Sequence, residues 1–404
     1  MGETRHACHL PPAVAYCKMT VTDSSRKRAD AASPRLIDAP GARPARRTPD
    51  AKTRAAVAAV VATIITLVLV YIGSRGFAEF DAALIGYFVA TVFAIAALTY
   101  RYALWIERPP TAHYFRAGWA TFLSWKNFRR YTTLVPRALW TDIFGQTFIR
   151  KRSTARWLTH LAIFWGVVLS VLVTVPLTFG WVRFTLVPPD GYRAWFFGFP
   201  VLTFPIHAGI GFATFHILDF TAVLLIAGVT AAMWRRIRDR GLLTTQRFGF
   251  DLMPLILLFA IAVTGLALTA SSTWWGGAFY WFIALVHQVI VVLWLISLPF
   301  GKFFHIIERP ASIGVTLYQQ VAQDVDYYGH EAPRGPRQPV THCKRCGAEA
   351  PSARFITDLE DVLGTLGQRY DLGAERGVLQ DYCPTCKRIL RADAYYALLK
   401  RDFL

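Results

Sequence analysis

Six apolar runs, at about 55–73, 82–106, 157–179, 207–234, 251–272 and 279–299, are each long enough to cross a hydrocarbon core of about 30 Å, which takes roughly 20 helical residues. Inside such a core the backbone must satisfy its own hydrogen bonds, so helices or a closed barrel are the available solutions. Unbroken apolar runs, rather than alternation, select helices. The sequence therefore predicts an all-α membrane protein built on a six-helix transmembrane bundle. Composition agrees, since 54% of the 404 residues are hydrophobic and 17% charged. The formal charge of +18 would suit nucleic acid, but Lys and Arg cluster in the segments between apolar runs, where the positive-inside rule accounts for them. Nucleic acid is not an indicated partner.

The same clustering sets an expected orientation. The N-terminal arm, the segment Arg108 to Arg156 with Arg129, Arg130, Arg150, Lys151 and Arg152, and the loop carrying Arg235, Arg236, Arg238, Arg240 and Arg247 are strongly basic. They are expected in the cytoplasm, with both termini, across a bacterial-type cytoplasmic membrane. The alternate connections, SRGFAEFD, WVRFTLVPPDGYRAWFFGFPVLTFP and SSTWWGGAFY, are aromatic and poor in basic residues, as an outer interface would be.

Five regions follow. Residues 1–53 form a basic arm without apolar periodicity, expected to be disordered; Met19 is an alternative start that would exclude Cys8 and Cys17. Residues 54–106 hold two spans, and the basic stretch before them leads into a full-length span rather than a cleavable signal. Residues 107–156 mix apolar and basic residues as one or two amphipathic helices would, lying on lipid of the inner leaflet or against a partner, with a solvated basic loop drawn to anionic lipid as the equal alternative. Residues 157–310 hold four spans, and 311–404 a cytoplasmic module.

Ionisable residues inside a membrane are costly and point to function. Of ten histidines, His160, His207, His216, His287 and His305 fall in or at the ends of spans. His287 and His305 are eighteen residues apart. On one continuous helix that is five turns, placing both on one face about 27 Å apart, although Pro299 and Gly301 interrupt ideal geometry. His160 lies near the cytoplasmic end of the third span and meets His305 in depth. His216 and His287 lie at matching depth nearer the outer side. Two bis-histidine pairs between facing helices are what two b-type haems require. A lone membrane histidine is more often an interhelical hydrogen-bonding or interfacial residue, and His207 rivals His216 as a ligand.

These residues resemble the gamma subunit of respiratory nitrate reductase and its relatives in heterodisulfide reductase and sulfite-reduction complexes. The resemblance covers about 140–310, most clearly in RWLTHLAIFWG (156–166), FDLMPLILLFAIAVTGLAL (250–268) and SLPFGKFFHIIERP (297–310). It implies haem ligands at His287 and His305 in the last span and at His160 in an earlier one. The family's further histidine, ten residues after His160, is Ser170 here, so His216 enters by depth alone and one haem or two remain open. The first span is additional to the usual five. The resemblance also implies an electron-transfer anchor rather than a stand-alone enzyme, exchanging electrons between quinone or quinol and cytoplasmic iron–sulfur and molybdopterin oxidoreductase subunits.

The C-terminal module carries HCKRCG and DYCPTCK, with Cys343, Cys346, Cys383 and Cys386 in two CxxC turns. Four thiolates in two turns suit one tetrahedral metal, zinc or a rubredoxin-like iron, with a reduced dithiol pair as the bland alternative. The segments around them, ARFITDLEDVLGTLGQRYDL and RADAYYALLKRDF, read as helices. Two other function classes fit six spans: a secondary transporter, against which stand the lack of a convincing internal repeat and the few acidic residues in the spans, and a scaffold recruiting a soluble partner through a zinc module.

Overall fold

The computed structural model describes residues 50–238, 246–323, 339–368, 370–372 and 376–402. Cys8, Cys17, Met19, nearly all of the basic arm, and Arg240 lie outside the described residues. The chain is mostly helical, with six helices long and apolar enough to cross a membrane, as a multi-pass membrane protein has.

The first two spanning helices form an antiparallel hairpin, α1 (Ala51–Gly73) and α2 (Ile85–Ile106). Arg54 pairs with Glu107 at 2.9 Å across its basic end. Next come α3 (Thr111–Phe122) and α4 (Trp125–Ala138), a π-helical stretch Leu139–Phe144 and a single turn Thr147–Arg150. The third spanning helix, α5 (Thr154–Thr178), starts at an N-cap where Ser153 accepts from the Arg156 N–H.

The chain then departs from the all-α expectation. Val182–Val187 (β1), Gly191–Phe196 (β2) and Phe199–Pro205 (β3) form an antiparallel sheet in the order β1-β2-β3. Val182 pairs with Phe196, and Gly191 with Pro205. The aromatic and β-branched residues read as an interfacial connection favour strands, and the turn residues cut them into hairpins. Phe197 and Gly198 both have positive φ (48° and 83°), the requirement of a two-residue hairpin turn.

Helix α6 (Gly209–Arg238) returns to the basic end, α7 (Met253–Thr273) runs back, and α8 (Tyr280–Ser297) returns again. Gly166 of α5 and Gly228 of α6 let those two helices close on each other. A Cβ on Gly166 would lie 2.9 Å from Leu225 Cβ, and one on Gly228 would lie 2.9 Å from Ile163 N. The bundle interior is Leu225 and Val229 of α6, Leu258 and Ala262 of α7, and Trp294 of α8.

The last span does not run on to His305. Helix α8 stops at Ser297; after Pro299 and Gly301, a 3-10 turn Lys302–Phe304 leads into a separate helix, α9 (His305–Ala322). Arg101 of α2 holds this break, donating to the Pro299 carbonyl and standing 4.0 Å over the Phe304 ring. The five-turn arithmetic linking His287 to His305 therefore does not apply.

Helix α9 spans the boundary expected at 310 and packs its apolar face on α3 and α4, with Leu317 and Val321 against Tyr131 and Leu134. The amphipathic segment thus finds a partner within its own chain. The module beyond consists of β4 (Val340–His342), β5 (Glu349–Ser352), α10 (Ala353–Thr365) and α11 (Pro384–Asp402), so the two expected helices are joined by a two-stranded pair.

Candidate histidine and metal sites

The four nominated histidines share one feature: an acceptor sits on Nδ1 of each. His160 on α5 meets Gln146 Oε1 at 2.5 Å, and His305, opening α9, meets the Lys302 carbonyl. His216 on α6 meets Asp219 Oδ2 at 2.9 Å. His287 on α8 meets Thr264 Oγ1 at 2.8 Å, and because Thr264 sends its own proton to the Ala260 carbonyl at 2.6 Å, its oxygen accepts from the imidazole. This arrangement puts the proton on Nδ1 and the lone pair on Nε2. Among the described residues no hydrogen bond reaches any of the four Nε2 atoms. His113 differs, directing Nε2 at Asp358.

The four divide into two groups. His160 lies within electrostatic reach of His305 and of Arg309 at the basic end. Among the described residues no hydrogen bond or ring contact joins His216 to His287; each is tied to α7. Asp219, bonded to His216, accepts from Thr269 at 2.7 Å, and His287 donates to Thr264 five residues earlier. Ser170, where the resemblance would place a further ligand, pairs its hydroxyl with Thr221 of α6 at 2.8 Å. His207 is exposed between β3 and α6.

Two residues of this constellation escape a sequence reading. Asp219 is the one carboxylate well inside a spanning helix, and its signal was the HxxD spacing that puts it one turn from His216. Gln146 had no signal. It is buried, at 4% exposure, and adopts a left-handed φ of 47° between the π-helical stretch and the turn at 147–150.

In the C-terminal module the four cysteine sulfurs lie within 4.8 Å of one another and could hold a metal ion such as zinc or iron. Each CxxC turn closes on itself: Gly347 N–H donates to the Cys343 carbonyl and Lys387 N–H to the Cys383 carbonyl, both at 2.9 Å. Gly347 takes a φ of 70°, which glycine accommodates freely. Lys344 and Asp381 bridge the two turns at 2.6 Å. The Cys383 N–H points at Cys343 Sγ (3.3 Å), and such backbone donors hold the Cys343 thiol down at about 6. The Cys383 thiol is lowered by the Cys386 N–H, whereas burial pushes Cys386 up to about 12. Cys346 alone of the four is exposed.

A buried carboxylate joins this module to the helices before it. Asp358 of α10, 1% exposed, receives the Tyr318 hydroxyl and Gln323 Nε2 at 2.6 Å each from the α9 end, His113 Nε2 of α3 at 3.1 Å, and Arg354 of its own helix at 3.2 Å. Burial pushes its pKa up, but the Tyr318, Gln323 and His113 bonds outweigh that and hold it below the ordinary carboxylate value. No family model matches the chain, and neither does any curated protein or solved structure.

Proposed function

We propose that the chain is the membrane-embedded electron-transfer subunit of an oxidoreductase complex, exchanging electrons between membrane quinone and a cytoplasmic iron–sulfur or molybdopterin partner. The observation that carries this reading is the shared state of His160, His305, His216 and His287, each with Nδ1 on an acceptor and Nε2 without a partner. Histidines that bind metal through Nε2 are held in this way. The donor set therefore fits b-type haem, with His160 and His305 as one pair and His216 and His287 as candidate ligands toward the opposite side. When bound, haem supplies a one-electron carrier whose potential depends on its ligands and surroundings.

The chain's own residues have definable tasks in this reading. Gln146, Thr264, Asp219 and the Lys302 carbonyl fix the tautomer and orientation of the imidazoles. The apolar faces of the bundle keep water from the interior. The basic end, rich in Arg and Lys, faces the cytoplasm by the positive-inside rule. In this reading the cysteine module, holding zinc or a single iron, offers the docking surface for the soluble partner.

The test is haem and metal content of the purified full chain, expressed with adequate haem supply. One or two haems per chain support the reading, and a protein free of haem overturns it. Metal analysis of the same preparation separates zinc from iron in the cysteine module.

A further inference from the structure

We propose that the outer face of the α3–α4 hairpin, centred on residues 119–129, is a docking surface for acidic phospholipid. Its aromatic side chains enter the interface of the leaflet at the basic end of the bundle, while Lys126 and Arg129 take the phosphate groups. The proposal does not depend on the electron-transfer reading.

The inner face of this hairpin is occupied by the chain itself: Tyr131 and Leu134 of α4 are buried against Leu317 and Val321 of α9. Among the described residues nothing covers the outer face. Trp125 is 83% exposed, Leu123 75% and Trp119 50%, and Phe122 and Phe128 are open as well. On α4 the exposed positions Trp125, Phe128, Thr132 and Pro136 recur every three or four residues, so they form one stripe opposite Tyr131 and Leu134. The rings hold one another in place. Trp125 stacks on Phe128 at 5.3 Å with 8° between their planes, and Phe122 meets the buried Tyr131 edge-on at 5.1 Å. A contiguous apolar patch of this kind marks an interaction surface.

The hairpin is tied to the membrane surface at both ends. Thr111 opens α3 five residues after Ile106 closes the spanning helix α2, and Arg116 reaches back to Glu107 at 3.6 Å. Beyond α4, the Gly145 carbonyl accepts the Trp157 indole N–H of the spanning helix α5 at 2.6 Å. Helix α9, on which the hairpin rests, is pinned in the same way. It begins at His305, eight residues after α8 ends, and its Tyr318, roughly 20 Å further along, meets the Tyr114 ring of α3 at 6.1 Å. Both ends of that stretch lie beside the ends of spanning helices, so α9 and the hairpin run along the surface rather than away from it.

Charge selects the lipid. Between Glu107 and Asp142 the chain has no acidic residue, while Arg108, Arg116, Lys126, Arg129, Arg130 and Arg137 are basic. Arg130 turns inward and donates to the Val321 carbonyl at 2.9 Å. Lys126 and Arg129 are exposed along one edge of the aromatic stripe, with no ion pair among the described residues. Tryptophan rings settle at headgroup depth, and cations beside an apolar stripe draw anionic lipid. A soluble partner would have to displace lipid from a face that already borders the bilayer.

The experiment uses the full chain in nanodiscs carrying a photoactivatable phosphatidylglycerol or, separately, the matching phosphatidylcholine. Crosslinked peptides are read by mass spectrometry, and oxidation of Trp125 by hydroxyl-radical footprinting. We expect phosphatidylglycerol label on residues 119–129 and Trp125 protected from oxidation. The preference for phosphatidylglycerol over phosphatidylcholine there should fall roughly fivefold with each of Lys126→Gln and Arg129→Gln, the share of one cation near an anionic surface. Unchanged label on the spanning helices reports that these variants are folded. Equal label from the two lipids overturns the assignment to an acidic headgroup. Residues 119–129 free of lipid label, with Trp125 readily oxidised, overturn the docking surface and leave this face to a soluble protein. Haem content bears on neither result.

Discussion

Asp358 shows how much one buried side chain can carry in this chain. Its oxygens take bonds from α9, α3 and α10, so Asp358→Ala orphans several donors at once. Breaking such a cluster costs about 2–4 kcal/mol. We expect faster amide exchange in residues 353–365 of this variant, with the spanning helices unchanged. The carboxyl has a depressed pKa in the folded chain, so its stabilising contribution is complete above the ordinary value of about 3.9 and is lost as pH falls below it. Module stability should decline on acidification through that window, and Asp358→Asn should lack that decline. The cysteine cluster was legible in the sequence because paired CxxC spacing carries its chemistry, whereas the eighteen-residue spacing of His287 and His305 does not survive the helix break between them. Asp358 and Gln146 were not legible, because their partners lie in distant parts of the chain: His113 is 245 residues from Asp358.

At the scale of the element, hydropathy located all six spanning helices, since length and apolar content alone define them. It failed where local geometry decides. The run 287–305 looks continuous in hydropathy, yet Pro299 and Gly301 divide it and Arg101 fixes the break. The aromatic connection after α5 looked like an interfacial loop, yet its turn residues make a sheet. Helix contact is also set by small residues rather than by hydropathy. Gly228→Ala places a Cβ 2.9 Å from the Ile163 backbone nitrogen and should cost about 1–3 kcal/mol in detergent unfolding. Gly314→Ala in α9, where a Cβ meets nothing within 4 Å, should instead stabilise by about 0.5–1 kcal/mol. Equal effects at the two sites would contradict the close α5–α6 packing.

The whole molecule joins an apolar bundle to a polar module through a layer of amphipathic helices, α3, α4 and α9. The module's own buried cluster is Tyr382 with three cysteines, a small core to hold two strands and two helices. A metal ion held by the four sulfurs would therefore contribute directly to its folding. Stripping the metal with a strong chelator should open residues 340–402 to trypsin while helical circular dichroism from the spans persists; a module equally resistant without metal would contradict this. If the basic end faces the cytoplasm, a phosphatase reporter inserted at 188–190 should be active and one fused after residue 402 inactive. The central claim is that His160 and His305 bind haem, and the most direct measurement is the reduced-minus-oxidised visible spectrum of the purified chain beside His160→Ala, His305→Ala and His207→Ala. A b-type α band that weakens in the first two variants and persists in the third is the predicted result. Its absence from the parent chain, or its persistence at full strength in all three variants, would contradict the claim.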